Sequence, residues 1–96
     1  MRKYEIMFIM RPTLSEEELK ATVEKYTKLL EEKNAKILTA KKIGQQTLAY
    51  EIKKFTTGFY HLFLIEANDD AAVKEFDRVS LISNDIIRHL ITKIEE

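Results

Sequence analysis

The stretch that most limits what this chain can become is Phe59 to Ile65, FYHLFLI, where six of seven residues are apolar or aromatic and the seventh is His61. Gly58 precedes it and Asn68-Asp69-Asp70 follows. A short run of this kind, bounded by turn residues, is a strand buried on much of both faces. Upstream, Leu48-Ala49-Tyr50-Glu51-Ile52 alternates, with Leu48, Tyr50 and Ile52 on one side and Ala49 and Glu51 on the other. The link Lys53 to Gly58 is polar around Phe55 and ends in glycine. That predicts an antiparallel hairpin, with Ile52 facing Phe59, Tyr50 facing His61 and Leu48 facing Phe63.

The flanking segments fall into place around this hairpin. Arg2 to Met10 alternates as a strand, with Tyr4, Ile6, Phe8 and Met10 on one face, and Arg11-Pro12 ends it. Ser15 and Glu18 have the spacing of a capping box, and Glu16, Glu17 and Glu18 sit where a helix dipole favours negative charge. Leu19, Val23, Tyr26 and Leu30 form the inner stripe of that helix, and Asn34 suits a left-handed stop. Ile37 to Ile52 reads as one long strand, bulged or bent at Gly44. Asn68 is placed to cap a second helix, Asp69 to about Leu81, with Ala72, Val73, Phe76 and Val79 inward. Ser83-Asn84-Asp85 is a turn, and Ile86 to Ile94 is the last strand. No repeat or linker divides residues 1–96, so one domain is expected.

The order is therefore βαββαβ. Two right-handed crossovers give an α+β, ferredoxin-like split βαβ fold: a four-stranded antiparallel sheet with both helices on one face. The first and third strands are central. Tyr4, Ile6, Phe8, Phe59, Phe63 and Ile65 then lie under the helices. Met7, Ile9, Tyr60, Leu62 and Leu64 lie on the opposite face, with no helix above them. Monomers seldom leave such a patch bare, so it is the expected meeting place for a protein partner or a second copy of the chain.

Composition removes several function classes. Sixteen Lys and Arg balance sixteen Asp and Glu, so any basic face must come from segregation rather than net charge. There is no cysteine, hence no disulfide, thiolate metal site or thiol nucleophile. The apolar runs fall far short of the roughly 20 residues that span a bilayer. No signal peptide is visible, and a soluble cytoplasmic protein is expected. Glu16 to Glu18 read as a helix cap rather than catalytic carboxylates, and His61 reads as an interior histidine. With His61 and His89 the only histidines and Gly44 and Gly58 the only glycines, neither a metal site nor a phosphate loop is expected. An acylphosphate hydrolase of the same fold would need an anion-cradling loop after the first strand, and Arg11-Pro12-Thr13 is a poor one. The chain is expected to be no enzyme and to need no cofactor. Its basic residues gather at strand ends: Arg2 and Lys3, Lys41 and Lys42, Lys53 and Lys54, Arg88 and Lys93. Such groups contact phosphate when they share a face.

Three blocks add a family resemblance. They are Met1-Arg2-Lys3-Tyr4-Glu5 with Arg11-Pro12; Leu48-Ala49-Tyr50-Glu51-Ile52 with Gly58-Phe59-Tyr60; and Glu75-Phe76-Asp77-Arg78 with Ile82 and Asp85-Ile86-Ile87-Arg88-His89. Together they resemble the bacterial small-subunit ribosomal protein six family across essentially the whole chain. The resemblance implies the fold already reached and a structural role. It also implies binding to the central domain of small-subunit ribosomal RNA beside ribosomal protein eighteen. By position, Arg2, Tyr4 and Arg88 match family residues near RNA or partner. The expected RNA contacts are Arg2, Lys3, Lys42, Lys53, Lys54, Arg88 and Lys93. The expected protein-partner face is Met7, Ile9, Tyr60, Leu62 and Leu64, with self-association through it as the rival reading. The chain departs from the family before Leu48, where Ile43-Gly44-Gln45-Gln46-Thr47 replaces a tryptophan-glycine and a basic run. It departs again at Leu81, where a basic residue is common, and at Asn84, where an acid is common.

Overall fold

A computed structural model describes residues 2–94, so Met1, which opens the first resemblance block, lies outside the described residues. The elements are β1 (Arg2–Met10), α1 (Glu16–Glu32), β2 (Lys36–Ile52), β3 (Phe55–Ala67), α2 (Ala71–Ile82) and β4 (Ile86–Ile94). One antiparallel sheet has the order β2-β3-β1-β4, so β1 and β3 are central as their apolar content requires.

Helix α1 starts where its sequence says it should. The Ser15 side chain accepts from the Glu18 backbone N–H, and the Glu18 carboxylate accepts from the Ser15 N–H. Those bonds lower the Glu18 pKa. The helix ends before Asn34, whose φ of 65° is the left-handed conformation that short polar residues tolerate. Helix α2 begins two residues later than Asp69, and its capping differs from expectation. Asp70 occupies the N-cap without a side-chain capping bond, its carboxylate pairing with Lys74 instead, while Asp69 Oδ1 accepts from the Ala71 N–H at 3.0 Å.

Both helices cover the face of the sheet formed by Tyr4, Ile6, Phe8 and Met10 of β1 and Phe63 and Ile65 of β3. From the helices come Leu19, Tyr26, Leu30, Ala72, Val73 and Phe76. Phe8 sits at the centre, with ring centroids 5.4–5.7 Å from those of Tyr26, His61, Phe63 and Phe76.

The hairpin departs from the expected register. The turn is Lys53-Lys54 alone, both at positive φ (50° and 71°), and Ile52 pairs with Phe55 rather than Phe59. Phe59 pairs with Gln45, His61 with Lys42 and Phe63 with Ala40. Positive φ at both central residues is the pattern of a type I′ turn, whose twist matches the flanking strands. Between the pairs Thr47–Thr57 and Ile52–Phe55 the register shifts, leaving Leu48 to Glu51 opposite Thr56. Leu48 and Ile52 consequently do not join Phe59 and Phe63 beneath the helices. They pack with Ile9, Ile87, Phe55 and Tyr60 on the other face of the sheet.

Candidate nucleic-acid and partner interface

The face without helices can be followed pair by pair. Lys3 lies across from Glu66, Glu5 from Leu64, Met7 from Leu62 and Ile9 from Tyr60. On the β4 side, Leu90 stands opposite Met7 and Arg88 opposite Ile9. Met7, Tyr60, Leu62 and Leu64 are half-buried and Leu90 is 58% exposed, so an apolar band does reach solvent. Ile9 is only 6% exposed, because the end of the β2–β3 hairpin closes over it. The expected five-residue patch is thus uncovered at Met7, Tyr60, Leu62 and Leu64 and roofed at Ile9. Beneath this roof is a cavity of about 250 Å³, lined by residues of all four strands that include Met7, Tyr50, Tyr60, Arg88 and Leu90.

A bulge in β4 decides where Arg88 points. Ile9 pairs with Arg88 but Met10 pairs with Ile86, which leaves Ile87 as the extra residue. Ile86 enters the core under the helices, while Ile87 joins Ile9 and Leu48 on the other side. Arg88 follows on that same side. Its Nη1 donates to the Tyr50 hydroxyl, and its guanidinium carbon lies 5.6 Å from the Tyr50 ring centroid.

The remaining expected cations are scattered. Arg2 and Lys93 share the helix-side parity of Tyr4 at the far end of the sheet, and Tyr4 pairs with Lys93. A hydrogen bond to the Tyr4 side chain raises the pKa of Arg2. Lys93 is five residues from Arg88, about 17 Å along the strand, and on the opposite face. Lys3 is on the open face but at the Glu66 end. Lys42 pairs with His61 and has helix-side parity, whereas Lys41, opposite Leu62, has open-face parity. Lys53 and Lys54 form the exposed tip of the hairpin. The structure therefore brings Arg88 to the apolar band and divides the other six among the sheet ends, the helix side and the hairpin tip.

Two histidines and one arginine are the remaining candidates for chemistry. His61 is buried and stacked on Phe8, and among the described residues its Nδ1 has no hydrogen-bond partner. Burial, then the charge of Lys42, lowers its pKa. His89 Nε2 lies 2.6 Å from Asp77 Oδ1, a hydrogen bond between β4 and α2. Arg11 is engaged by Asp85 and Thr13 rather than turned to a loop that could cradle an anion. Among the described residues, no group of three or more His, Cys, Asp or Glu could hold a metal ion. No helix there is long and apolar enough to cross a membrane.

The family model described as ribosomal protein S6 matches residues 3–93. The chain belongs to that family. The S6 family is a structural component of the small ribosomal subunit and not an enzyme. Among solved structures, the chain is similar to 30S ribosomal protein S6 from Thermotoga maritima, with 34% identity and a TM-score of 0.91, over 97% of this chain and 87% of that one. A protein from Arabidopsis thaliana superposes with a TM-score of 0.59 at 13% identity, over 100% of this chain and 95% of that one, which shows the shared fold alone. Within the S6 frame, the residues that sequence reasoning missed are Tyr50 and Leu90. Leu90 was available from strand alternation, two residues beyond Arg88. Tyr50 was not, because its position depends on how the hairpin folds over the sheet.

Proposed function

We propose that this chain binds the central domain of small-subunit ribosomal RNA together with ribosomal protein eighteen, in the cytoplasmic ribosome. The observation that carries this reading is the match to the S6 family over residues 3–93, on a sheet with one apolar face free of helices. Met7, Tyr60, Leu62 and Leu64, with Ile9 at their roofed end, form the surface for the protein partner. Arg88 stands at the border of that surface and supplies the main phosphate contact, with Lys53 and Lys54 at the hairpin tip. Arg2, Lys3 and Lys93 form a second phosphate-contacting group at the other end of the sheet, and Lys42 a lone contact on the helix side. Contacts of this kind fix register on RNA without reading its sequence. No basic run is present at Gln45-Gln46-Thr47, so affinity rests on these cations.

The test is binding to a central-domain RNA fragment, with and without ribosomal protein eighteen, at two salt concentrations. Tight binding with the partner, weakening as salt rises, is the expected result. Arg88→Ala should weaken assembly while leaving folding largely intact. No binding to the RNA even at low salt, with the partner present, overturns the reading. The exposed band at Met7, Leu62, Leu64 and Leu90 favours one rival, a module that pairs with a second copy of itself. A stable dimer in sedimentation, with no RNA affinity, would establish that rival.

A further inference from the structure

Tyr50 and Arg88 belong to the two opposite edge strands, with β3 and β1 between them. That is about 14 Å of sheet, yet the two side chains meet through a hydrogen bond to the Tyr50 hydroxyl, with the guanidinium carbon 5.6 Å from the ring centroid. The contact exists because the end of β2 leaves the plane of the sheet. Four residues, Leu48 to Glu51, stand opposite Thr56 where one would suffice, so the strand has length to spare there. Leu48, 7% exposed, anchors this segment against Ile9 and Ile87. Tyr50 itself is 60% exposed, so its ring is not placed by its own burial. It is carried across by its neighbours and laid against a cation that has no other side-chain partner among the described residues.

We propose that Tyr50 is a positioning residue for Arg88. It fixes the guanidinium at the border of the open face so that a phosphate meets an arginine already ordered. The inference rests on the assignment of Arg88 to phosphate made above. A free arginine surrenders much rotamer freedom when it binds. Holding it against Tyr50 moves that loss from the binding step to the folding step. The hydroxyl occupies one N–H of the fork, and the others are left for the two-point contact that guanidinium makes with phosphate.

The experiment is titration of the central-domain RNA fragment with the full chain and ribosomal protein eighteen, across several salt concentrations. The proteins are wild type, Tyr50→Phe, Tyr50→Ala, Arg88→Ala and the double variant Tyr50→Ala/Arg88→Ala. Tyr50→Ala should bind about two- to fivefold more weakly. Its salt slope should not change, because no phosphate contact is removed. Arg88→Ala should weaken binding and also flatten the slope by about 0.7–0.9. Adding Tyr50→Ala to Arg88→Ala should change nothing further. Tyr50→Phe keeps the ring, should lose less than Tyr50→Ala, and carries the test if Tyr50→Ala proves unstable in thermal unfolding. Wild-type affinity in the folded Tyr50 variants overturns the proposal while leaving Arg88 assigned. So does an equal loss from Tyr50→Ala with and without Arg88. Wild-type affinity in Arg88→Ala removes the phosphate assignment and this inference together.

Discussion

Arg11 and Asp85 are joined twice. The Arg11 backbone N–H donates to the Asp85 carbonyl at 2.9 Å, and the guanidinium reaches Asp85 Oδ1 at 3.0 and 3.1 Å. This ties the exit of β1, just before Pro12, to the entry of β4, two residues before the bulge at Ile87 that aims Arg88. The side chains are 30% and 40% exposed, so water screens the pair substantially. Arg11→Ala should therefore destabilise the fold by only about 1 kcal/mol. Asp85→Asn should lose a similar amount. The double variant should lose less than the sum, because both remove the same contact. Denaturant unfolding of the three variants checks this.

Phe63→Ala is expected to cost far more. Phe63 has no exposed surface and its ring lies 5.6 Å from that of Phe8, at the meeting point of sheet and helices. Truncation there removes apolar contact and leaves a cavity, at about 3–5 kcal/mol. Urea midpoints should show the loss. A change below about 1 kcal/mol would mean that the core closes around the gap.

The two glycines should respond to alanine for different reasons. A Cβ on Gly58 would lie 2.3 Å from Ile9 Cγ2 and 3.3 Å from the Met10 carbonyl oxygen, in a packed corner. Gly58→Ala should cost about 1–3 kcal/mol through crowding. Gly44 has open space around it but a φ of 101°, a conformation alanine resists. Its substitution should cost about 1 kcal/mol through the backbone. Ile9→Ala, which removes that Cγ2 methyl, should cost less in the Gly58→Ala background than in the wild type, and no less in the Gly44→Ala background.

Acid should loosen the protein through His61 before it reaches the carboxylates. The folded-state pKa of His61 lies below the ordinary value near 6.5, so the unfolded chain takes up its proton first. Stability is then complete above about pH 6.5 and falls as pH drops toward the folded pKa. Glu18, also depressed, adds a second loss that starts as pH falls through the ordinary carboxylate value and is complete below its folded pKa. His61→Phe keeps a ring against Phe8 and removes the unpartnered Nδ1. It should flatten the dependence between pH 8 and pH 5 in thermal melts. An unchanged slope in that variant would place the acid sensitivity elsewhere.

What the sequence discloses here depends on how local each signal is. Ser15 and Glu18 announce the start of α1 because their bonds close within one turn. The alternation of Tyr4, Ile6, Phe8 and Met10 marks the helix-side face because period two has one buried solution. The hairpin behaves differently. Lysines do not advertise positive φ as Asn-Gly does, so Lys53-Lys54 was legible only as part of a longer link. The pairing of Gln46 with Gly58 puts Leu48 on the open face by alternation, and beyond the shift after Thr47 Ile52 joins it there, packed with Ile9 and Ile87. That choice is made by packing between distant strands, not by neighbours in sequence. For the same reason Arg88 could be named as a candidate from its family position, while its contact with Tyr50, 38 residues away, could not.

The outer strand β2 carries one more consequence. Its pairing with β3 slips at Leu38 and again at Ile43, and both side chains remain more than a third exposed. An edge that slips at these two points and a third time after Thr47, with lysines at 41 and 42, is a poor template for a foreign strand to zip against. The irregular rim thus guards this edge against fibre-like stacking of copies, and a strand that approaches from the β2 side is turned away from its margin.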